Sequence, residues 1–555
     1  MSVQTPPASV VGDDPGPSVP DRALPPLPST WRSLPAAFLG AARANWGRPA
    51  ILDSLGARLS YGQALTRALV LTRLLARRLG PEPFVGALVP PGAAGALTNL
   101  ALAMLGKVAV NLNYSASKAV IDSSIAQCGI RHVVTTPRAL EKVGYSPAGD
   151  LIFLEDLAKT VTLVDKAWSA AMARLAPLAA LTAVRPGFGP HLDDPATVMF
   201  TSGSTGDPKG VVLSHGNVLS NVHQMNVHID LLADEVVLGI LPYFHSFGYT
   251  VTIWTVLLLG KRVIYHHTPL DYKVIPGLIE KHRVTMIASS PTFMRNYVER
   301  AKPGQLDSLV HMLLGSERVK PELSALIREA LGKDVMEGYG CTELSPVVSV
   351  NTLTEMTTRD GRRVPGNRLG TIGMPLPGTC VKAVDPDTGA DLPRGAEGVL
   401  WVKGPQVMLG YLDRPEATAK VVRDGWYCTG DLGLIDADGF LKITGRLSRF
   451  AKIGGEMVPL EGVEAAIQEA AGVGEAAVAV TTVPDPKRGE RLAVLYTDLG
   501  SSPEAVHQKL AAGALPKLWL PSPRDYFRVE EIPCLGVGKR DLRRLKELAA
   551  ELVPA

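Results

Sequence analysis

The stretch Thr201-Ser202-Gly203-Ser204-Thr205-Gly206-Asp207-Pro208-Lys209-Gly210 combines glycines and hydroxyl side chains with a single lysine. Glycine lets backbone N–H groups turn toward an anion, hydroxyls add donors, and lysine supplies a point charge, so the stretch suits phosphate binding. It is not a Walker A loop, which ends in Gly-Lys-Ser/Thr and opens directly into a helix. Apolar runs at residues 197–200 and 211–213 flank it. A polar hairpin loop without function is the alternative, but ten consecutive residues of this kind predict a strand, a phosphate loop and a second strand.

The composition indicates a large globular protein of nearly neutral charge. The chain has 555 residues, of which 46% are hydrophobic and 20% are charged, and its formal net charge is +3. This length exceeds what one ordinary core supports, so we expect two or more domains. The small net charge gives no electrostatic argument for a nucleic-acid partner, and we expect none.

The cysteines and the first residues bear on the cellular compartment. The five cysteines are scattered without a C-x-x-C pair, which argues against a zinc site or a disulfide framework and fits a reducing cytosol. Residues 1–30 are rich in proline and lack the apolar core of a signal peptide, so we predict a disordered tail there. We therefore expect a cytoplasmic protein.

Two uncharged runs, residues 84–106 and 236–260, are long enough for a membrane helix. Proline and glycine interrupt the first run, and Pro242, His245 and Gly248 interrupt the second. Strands and helices buried in a large α/β core give the same pattern, so we predict no membrane span.

Strand and helix patterns alternate through much of the chain. A capping box at residues 60–63 predicts a helix that continues to Gly80. Residues 85–112 predict a strand–helix–strand unit, and the same order recurs at residues 261–288. Such alternation predicts an α/β fold with parallel, doubly wound sheets. After residue 446, about 110 residues remain, which is enough for a small α+β domain.

Three further segments carry side chains suited to a nucleotide and its metal. They are Tyr339-Gly340-Cys341-Thr342-Glu343, Tyr427-Cys428-Thr429-Gly430-Asp431 and Gly445-Arg446. In isolation, a Thr-Glu pair is typical of a helix cap and an aspartate is typical of a turn. Together with residues 201–210, and in this order, the segments resemble the signature of the adenylate-forming superfamily, which includes acyl-CoA synthetases, nonribosomal peptide adenylation domains and beetle luciferases. The resemblance covers residues 35–550.

The resemblance implies a large N-terminal AMP-binding domain, residues 31–446, with doubly wound sheets, and a small C-terminal α+β lid domain, residues 447–555. It implies ATP and Mg²⁺ as cofactors. Tyr339 would pack on the adenine, Asp431 and Arg446 would bind the ribose, Thr342 would donate to the α-phosphate, and Glu343 would hold the metal. The implied nucleotide ligands are Thr201, Ser202, Gly203, Ser204, Thr205, Gly206, Lys209, Tyr339, Asp431 and Arg446.

Activation of a carboxylate by ATP brings two anions together, so the reaction needs positive charge, a metal and in-line positioning. Residues 533–539 resemble the family segment whose lysine reaches into the site, which implies that Lys539 neutralises the converging oxygens. Residues 243–248 resemble the segment beside the acid pocket. A lone histidine in an apolar run is usually a hydrogen-bonded core residue, so we expect His245 to position the acid. The implied catalytic set is Lys539, Thr342, Glu343 and His245.

One position departs from the family. Members usually carry aspartate or lysine two positions after the arginine, as the pivot about which the small domain turns, whereas this chain has Ser448. A pivot needs tolerant backbone angles more than charge, so we expect the hinge to turn. In the family, this rotation withdraws the lysine and presents residues 450–458, so that a thiol can attack the acyl-adenylate.

Residues 339–351 and 449–458 resemble one subgroup, the acyl-[acyl-carrier-protein] synthetases, including the synthetase half of acylglycerophosphoethanolamine acyltransferase. This implies an acid–thiol ligase that joins a fatty acid to acyl carrier protein or CoA and releases AMP and pyrophosphate. Glycines near the implied pocket leave room for an alkyl chain but do not set its length. A lipid substrate is compatible with peripheral membrane contact, although no basic amphipathic helix supports it.

Other interpretations stay open. A ligase that stops at the acyl-adenylate and a luciferase-like oxygenase would share every motif named above. A non-catalytic relative would be expected to lack Glu343 or Lys539, and both are present. His266 and Asp271 have the His-x-x-x-x-Asp spacing of phospholipid acyltransferases, but they lie beside a predicted core strand, so we interpret the match as chance.

Overall fold

The computed structural model describes residues 20–189, 191–201, 208–453, 456–485, 488–513, 515–516, 519–534 and 540–553. The strands in this part of the chain are β1 (Pro49–Asp53), β2 (Arg58–Ser60), β3 (Phe84–Leu88), β4 (Val108–Asn111), β5 (His132–Thr135), β6 (Asp150–Phe153), β7 (Pro195–Thr201), β8 (Lys209–Ser214), β9 (Val236–Gly239), β10 (Arg262–Tyr265), β11 (Met286–Ser289), β12 (His311–Leu314), β13 (Met336–Gly340), β14 (Val347–Val350), β15 (Glu355–Thr357), β16 (Arg363–Pro365), β17 (Met374–Pro375), β18 (Cys380–Val384), β19 (Gly398–Lys403), β20 (Gly410–Tyr411), β21 (Val422–Arg423), β22 (Trp426–Ile435), β23 (Leu441–Arg446), β24 (Phe450–Ile453), β25 (Glu456–Pro459), β26 (Val478–Asp485), β27 (Gly489–Tyr496) and β28 (Tyr526–Arg528).

The α-helices of the described residues are α1 (Leu34–Ala44), α2 (Tyr61–Ala76), α3 (Ala93–Met104), α4 (Lys118–Cys128), α5 (Pro137–Val143), α6 (Leu154–Lys159), α7 (Leu163–Leu175), α8 (Leu178–Val184), α9 (His215–His228), α10 (Val256–Leu258), α11 (Val274–His282), α12 (Pro291–Arg300), α13 (Pro321–Leu331), α14 (Pro415–Val421), α15 (Leu460–Ala471), α16 (Pro503–Ala512) and α17 (Leu542–Leu552). A π-helix, Gly248–Thr255, runs directly into α10.

Two sheets form the centre of the N-terminal domain. One has nine strands in the order β17-β14-β13-β12-β11-β9-β10-β1-β2, and the other has seven in the order β20-β8-β7-β4-β3-β5-β6. Strands β3, β4, β5 and β6 pair in parallel, as do β9, β10, β11 and β12, and helices connect successive strands. This order confirms the predicted α/β fold with doubly wound sheets.

Two smaller sheets follow in the chain. An antiparallel sheet has the order β18-β19-β22-β21, with β23 paired to β22. A C-terminal sheet has the order β25-β24-β27-β26, with β28 paired to β27, and apolar side chains of α15, α16 and α17 pack against it. The change of pattern predicted late in the sequence therefore marks a real change of architecture, from parallel to mainly antiparallel sheets.

Helix α2 shows how local sequence signals set an element. Ser60 accepts from the backbone N–H of Gln63, and the Gln63 side chain accepts from the N–H of Ser60, which is the predicted capping box. The helix ends at Ala76 rather than near Gly80, so the predicted end was too late. The N–H groups of Arg77 and Arg78 bond to carbonyls three residues earlier, a tightening typical of helix ends.

Part of the predicted disordered tail is held against the protein. Asp21 lies 2.6 Å from Arg394, and Arg22 Nη2 lies 2.7 Å from Nδ1 of His228. The Leu24 side chain packs so close to Gly378 that a Cβ there would lie 2.7 Å from it. The prediction of disorder up to residue 30 was therefore wrong for residues 20–30, because ion pairs and packing fix them.

Neither uncharged run forms a membrane helix. Residues 84–106 contain β3 and α3, and residues 236–260 contain β9, the π-helix and α10. Within the described parts of the chain, we find no helix with both the length and the apolar character that a membrane crossing requires.

Asp165 joins α7 to α2 by buried ion pairs. Its side chain is 0% exposed, and Oδ1 lies 3.0 Å from Nε of Arg73 and 2.5 Å from Nη2 of Arg77. The Thr162 hydroxyl donates to Oδ2 at 2.8 Å. Hydrogen bonds from Arg77, then Thr162 and Arg73, hold the pKa of Asp165 far below its ordinary value.

We expect Asp165→Asn to lower the Tm by several degrees at pH 7, and the difference from wild type to shrink as the pH falls below 5. A carboxyl with a depressed folded pKa stabilises the fold above its unfolded pKa of about 3.9, and this contribution is lost as the pH falls toward the folded pKa. Thermal unfolding at pH 7, 5, 4 and 3.5 measures this. Asp156→Asn is the control, because the Asp156–Lys159 pair is largely exposed. A Tm difference that does not vary with pH would contradict the charge-based explanation.

Candidate active site

The hairpin of β7 and β8 holds the two ends of the glycine-rich stretch. Thr201 lies opposite Lys209, and Phe200 lies opposite Gly210, in antiparallel register. This pairing confirms the predicted order of strand, connecting segment and strand. Ser202, Gly203, Ser204, Thr205 and Gly206 lie outside the described residues.

Lys209 is connected to Glu343 through an aromatic ring. The ammonium of Lys209 lies 5.1 Å from the centroid of the Tyr411 ring, within the range of a cation–π contact. Tyr411 belongs to β20, which pairs with β8, and its hydroxyl donates to Oε1 of Glu343 at 2.9 Å. The cation at the end of the phosphate hairpin and the implied metal ligand therefore lie on either side of one tyrosine.

The turn after β13 positions Tyr339 and Glu343. The register of β13 against β14 shifts between Tyr339 and Gly340, and the N–H of Cys341 then bonds to the carbonyl of Pro346 at 3.1 Å. A Cβ at position 340 would lie 1.9 Å from that same carbonyl oxygen, so only glycine fits. The chain continues into a short 3-10 helix, Thr342–Leu344, in which Glu343 is buried.

A second group of contacts joins this turn to the antiparallel sheet. Asp431 on β22 and Arg446 on β23 are direct cross-strand partners, and Arg446 Nε lies 3.1 Å from Oδ1 of Asp431. The hydroxyl of Tyr339 donates to Oδ2 of the same carboxylate. The Asp431 N–H bonds to the Thr429 hydroxyl at 3.1 Å, which fixes the backbone there. Residues from three predicted motifs thus meet at one carboxylate.

Burial and the two carboxylates keep the surrounding groups protonated. Burial raises the pKa of Tyr339 well above its ordinary value, and the Asp431 carboxylate adds to this shift. Burial and Glu343 act in the same way on the pKa of Tyr411 and of the Cys341 thiol. Burial would lower the pKa of Arg446, but Asp431 and neighbouring groups raise it overall. The phenols are therefore neutral donors, while Lys209 and Arg446 supply the cationic groups.

The segment with His245 adjoins Thr342. The His245 ring is half-buried and lies 4.6 Å, between centroids, from Phe244, whose ring contacts Tyr114 edge-on at 4.9 Å. The next side chain, Ser246, lies 3.4 Å from the Thr342 hydroxyl. His245 is thus held among aromatic rings next to the implied α-phosphate donor, an arrangement compatible with positioning an acid. Its role stays a prediction.

The structure brings most of the predicted residues together, and it adds one. Lys539, like residues 202–206, lies outside the described parts of the chain. Sequence reasoning missed Tyr411, which lies 68 residues from Glu343 and follows a glycine in a stretch without a distinguishing pattern. The predicted residues with a described place in this region are Thr201, Lys209, His245, Tyr339, Thr342, Glu343, Asp431 and Arg446.

The His-x-x-x-x-Asp pair also makes direct contact. His266 Nε2 lies 2.7 Å from Oδ2 of Asp271, and Nδ1 of the same ring lies 2.8 Å from the Ser54 hydroxyl. Among the described residues, His266, His267 and Asp271 are the group of histidine, cysteine and acidic side chains close enough to share an ion. The pair lies at the end of β10, and its reading as a chance match stays an interpretation.

Comparison with known proteins places this geometry in a family. The AMP-binding enzyme family matches residues 38–412. The chain is 32% identical to a feruloyl-CoA synthase from Amycolatopsis sp over 438 residues, which cover 78% of this chain and 82% of that protein. It is 34% identical to a long-chain-fatty-acid–CoA ligase from Bacillus subtilis over 365 residues, which cover 64% of this chain and 62% of that protein.

Solved structures extend the similarity to the C-terminal sheet. The ATP-bound MatB from Rhodopseudomonas palustris has a TM-score of 0.75 and 27% identity, and the match covers 93% of this chain and 98% of that protein. MenE from Bacillus subtilis, in complex with ATP and a magnesium ion, has a TM-score of 0.74 at 22% identity and covers 92% of this chain, a likeness of fold. The resemblance to adenylate-forming enzymes is thereby confirmed, and the chain belongs to the AMP-binding enzyme family as an enzyme of the acid–thiol ligase type.

Proposed function

We propose that the protein uses ATP and Mg²⁺ to convert a fatty acid into an acyl-adenylate, with release of pyrophosphate. The acyl group is then transferred to the thiol of CoA or acyl carrier protein, and AMP leaves. The observation that carries this proposal is the cluster of Tyr339, Asp431 and Arg446 next to Glu343 and Lys209. The relatives named as CoA ligases support the thiol step.

The Asp431 carboxylate suits a ribose. A carboxylate accepts several hydrogen bonds, so one Asp431 side chain can bind both ribose hydroxyls. Arg446 holds the carboxylate from the opposite strand, and the side chain of Asp431 is only 14% exposed, so its orientation is set before a ligand arrives. The Tyr339 ring, attached to the same carboxylate through its hydroxyl, supplies an aromatic face for the adenine.

The donors near Glu343 fit a hard cation. Mg²⁺ prefers oxygen ligands and is usually held by one or two carboxylates together with substrate phosphates. Glu343 would hold it through a carboxylate oxygen, while Tyr411 fixes the other end of the side chain's geometry through its hydrogen bond. When bound, the metal would offset part of the negative charge of the phosphates. Lys209 adds a positive charge on the far side of the Tyr411 ring.

The domain boundary follows from where the sheets end. β23 ends at Arg446 and the C-terminal sheet begins at Phe450, with only the 3-10 helix Leu447–Arg449 between them. We place the boundary of the large domain, residues 31–446, and the lid, residues 447–555, at this short connection. Lys539 is proposed as the cation that the lid brings to the reacting oxygens. Cys534 and Arg540, on either side of residues 535–539, form an antiparallel bridge that fixes the base of this segment.

Two classes of acid deserve a direct comparison. Relatives that act on long-chain fatty acids and the segments resembling carrier-protein synthetases support a fatty acid. The feruloyl-CoA synthase supports a second candidate, an aromatic acid. Gly315 leaves space beside the pocket segment, since a Cβ there would lie 3.9 Å from the Phe247 ring. The cysteines, which are unpaired, support a cytoplasmic location.

Exchange of labelled pyrophosphate into ATP tests the adenylation step. Purified protein with Mg²⁺ is assayed with octanoate, palmitate, oleate, ferulate and malonate. We expect exchange to be fastest with a long-chain fatty acid. The absence of exchange with every acid would overturn the proposal, and exchange with ferulate alone would favour the aromatic acid. CoA, carrier protein or no thiol is then added, with and without oxygen. Product formed only with oxygen would indicate an oxygenase, and acyl-adenylate that no thiol consumes would indicate a ligase that stops there.

Glu343→Gln is expected to raise the Mg²⁺ concentration needed for half-maximal exchange by at least about tenfold, because an amide oxygen binds Mg²⁺ more weakly than a carboxylate does. Titration of Mg²⁺ at saturating ATP measures this. Glu337→Gln is the matched control, because Glu337 is an equally buried carboxylate on β13 that bonds to the Val319 N–H. An unchanged Mg²⁺ requirement in Glu343→Gln would reject this assignment.

Asp431→Asn is expected to raise the KM for ATP by about 10- to 100-fold, because hydrogen bonds to a charged group contribute about 1.5–3 kcal/mol. The wild type should also discriminate against 2′-deoxy-ATP, and the variant should lose most of this discrimination. Asp436→Asn serves as the control, because Asp436 lies in the turn after the same strand and pairs with Arg368 at 2.6 Å. Equal discrimination in wild type and Asp431→Asn would place the ribose elsewhere.

A further inference from the structure

A buried group of three charged side chains lies inside the C-terminal sheet domain. Glu464 on α15 has a side chain only 8% exposed, and its Oε1 accepts from Nη2 of Arg449 and, at 2.7 Å, from the N–H of Val480. Its Oε2 lies 2.5 Å from Nη1 of Arg540. We refer to Arg449, Glu464 and Arg540 as the lid ion cluster.

Both arginines are also fixed to the backbone of one edge of the sheet. Arg449 Nη1 donates to the carbonyl of Val480 at 2.9 Å. Arg540 Nη2 donates to the carbonyls of Glu475 at 2.6 Å and Val478 at 2.7 Å. The two guanidinium groups therefore have defined positions on the β26 side of the domain, and a single carboxylate lies between them.

The two ends of the lid ion cluster lie at the two places that matter for the proposed mechanism. Arg449 ends the 3-10 helix that follows Arg446, and so it marks the entry of the chain into the lid. Arg540 is the residue directly after Lys539 and forms the bridge with Cys534. The Asp541 N–H bonds to the Pro533 carbonyl at 2.9 Å, which holds the same base.

We propose that Glu464 is a positioning residue for Lys539, and this inference rests on the proposed role of that lysine in adenylation. Glu464 ties the backbone next to Lys539 to the first residues of the lid, so that the lysine and the hinge move as one rigid unit. When the lid turns, the lysine then enters or leaves the site by the full rotation instead of lagging on a loosely held segment.

The energetics support a geometric role over a stabilising one. Removing charges from water costs so much that a buried ion cluster often stabilises a fold no better than apolar side chains would. α15 already packs on the sheet through Val463 and Ile467, which are buried. A guanidinium fork fixes direction as well as distance, and that property suits a support for a neighbouring catalytic side chain.

The matched test compares Glu464→Gln with Asp525→Asn. Asp525 is a buried carboxylate of the same domain that pairs with Arg491 on β27, but it has no contact with the base of the lysine segment among the described residues. Each variant is assayed for acyl-adenylate formation, for thiol transfer from supplied acyl-adenylate, and for Tm. We expect Glu464→Gln to lower the kcat of adenylation at least about tenfold with the KM for ATP unchanged, because small misplacements of a catalytic group cost this much.

Thiol transfer in Glu464→Gln should change by less than about threefold, as should both half-reactions in Asp525→Asn. Equal loss of the two half-reactions in Glu464→Gln, or adenylation no worse than in Asp525→Asn, would overturn the proposal. In the double variant Glu464→Gln/Lys539→Ala, adenylation should be no slower than in Lys539→Ala alone, since Glu464 acts through the lysine. A further decrease would also overturn it.

Two more variants separate the possible failures. If Lys539→Ala retains adenylation, the proposed function of the lysine fails whatever Glu464 does. If Glu464→Gln does not fold, Arg540→Lys decides the question, because it keeps the charge at a less buried position and loses the fork that reaches both Glu464 and the two carbonyls. A selective loss of adenylation in Arg540→Lys supports the proposal, and wild-type adenylation overturns it.

Discussion

The carboxylate of Asp431 is where two separately built sheets meet. Tyr339 approaches it from the nine-stranded sheet, and Arg446 approaches it from the neighbouring strand of the antiparallel sheet. Because a buried carboxylate must be fully paired, this contact fixes how the two sheets lie against each other as well as the local side chains. Arg446 is also the last residue of β23, so the chain leaves for the C-terminal sheet from the nucleotide end of the site. A change at the nucleotide can therefore reach the connection between the domains through one residue.

The charges of the site explain why a second domain is needed. Glu343 and Asp431 are the carboxylates, the phenols and the thiol around them are held neutral, and Lys209 and Arg446 are the cations. The site is thus close to balanced before any ligand enters. ATP and a carboxylate substrate add several negative charges, and a metal offsets only part of them. A cation delivered by the C-terminal domain, and withdrawn after adenylation, would supply the remainder at one step and free the site for a thiol at the next.

Local signals in the sequence were sufficient for the elements and for much of the site. The capping box of α2, the strand–helix–strand unit of β3, α3 and β4, and the pairing of Thr201 with Lys209 all depend on neighbours within a few residues. Side chains that meet across sheets were different. The contact between Tyr411 and Glu343, the lid ion cluster and the packing of residues 20–30 join parts of the chain that are far apart. Periodicity and turn chemistry carry no information on such contacts, since these depend on how whole sheets pack.

The same distinction bears on the acid. The family includes relatives named for fatty acids and for feruloyl groups, and the nucleotide residues differ little in what they must do for either. Selectivity therefore belongs to the aromatic segment around His245, where Phe244 packs edge-on against Tyr114. Ser246 on that segment contacts Thr342, so an acid that shifts the segment also shifts the proposed α-phosphate donor. A poorly fitting acid would then slow the chemical step as well as bind weakly, because the geometry of attack and the shape of the pocket share one short stretch of chain.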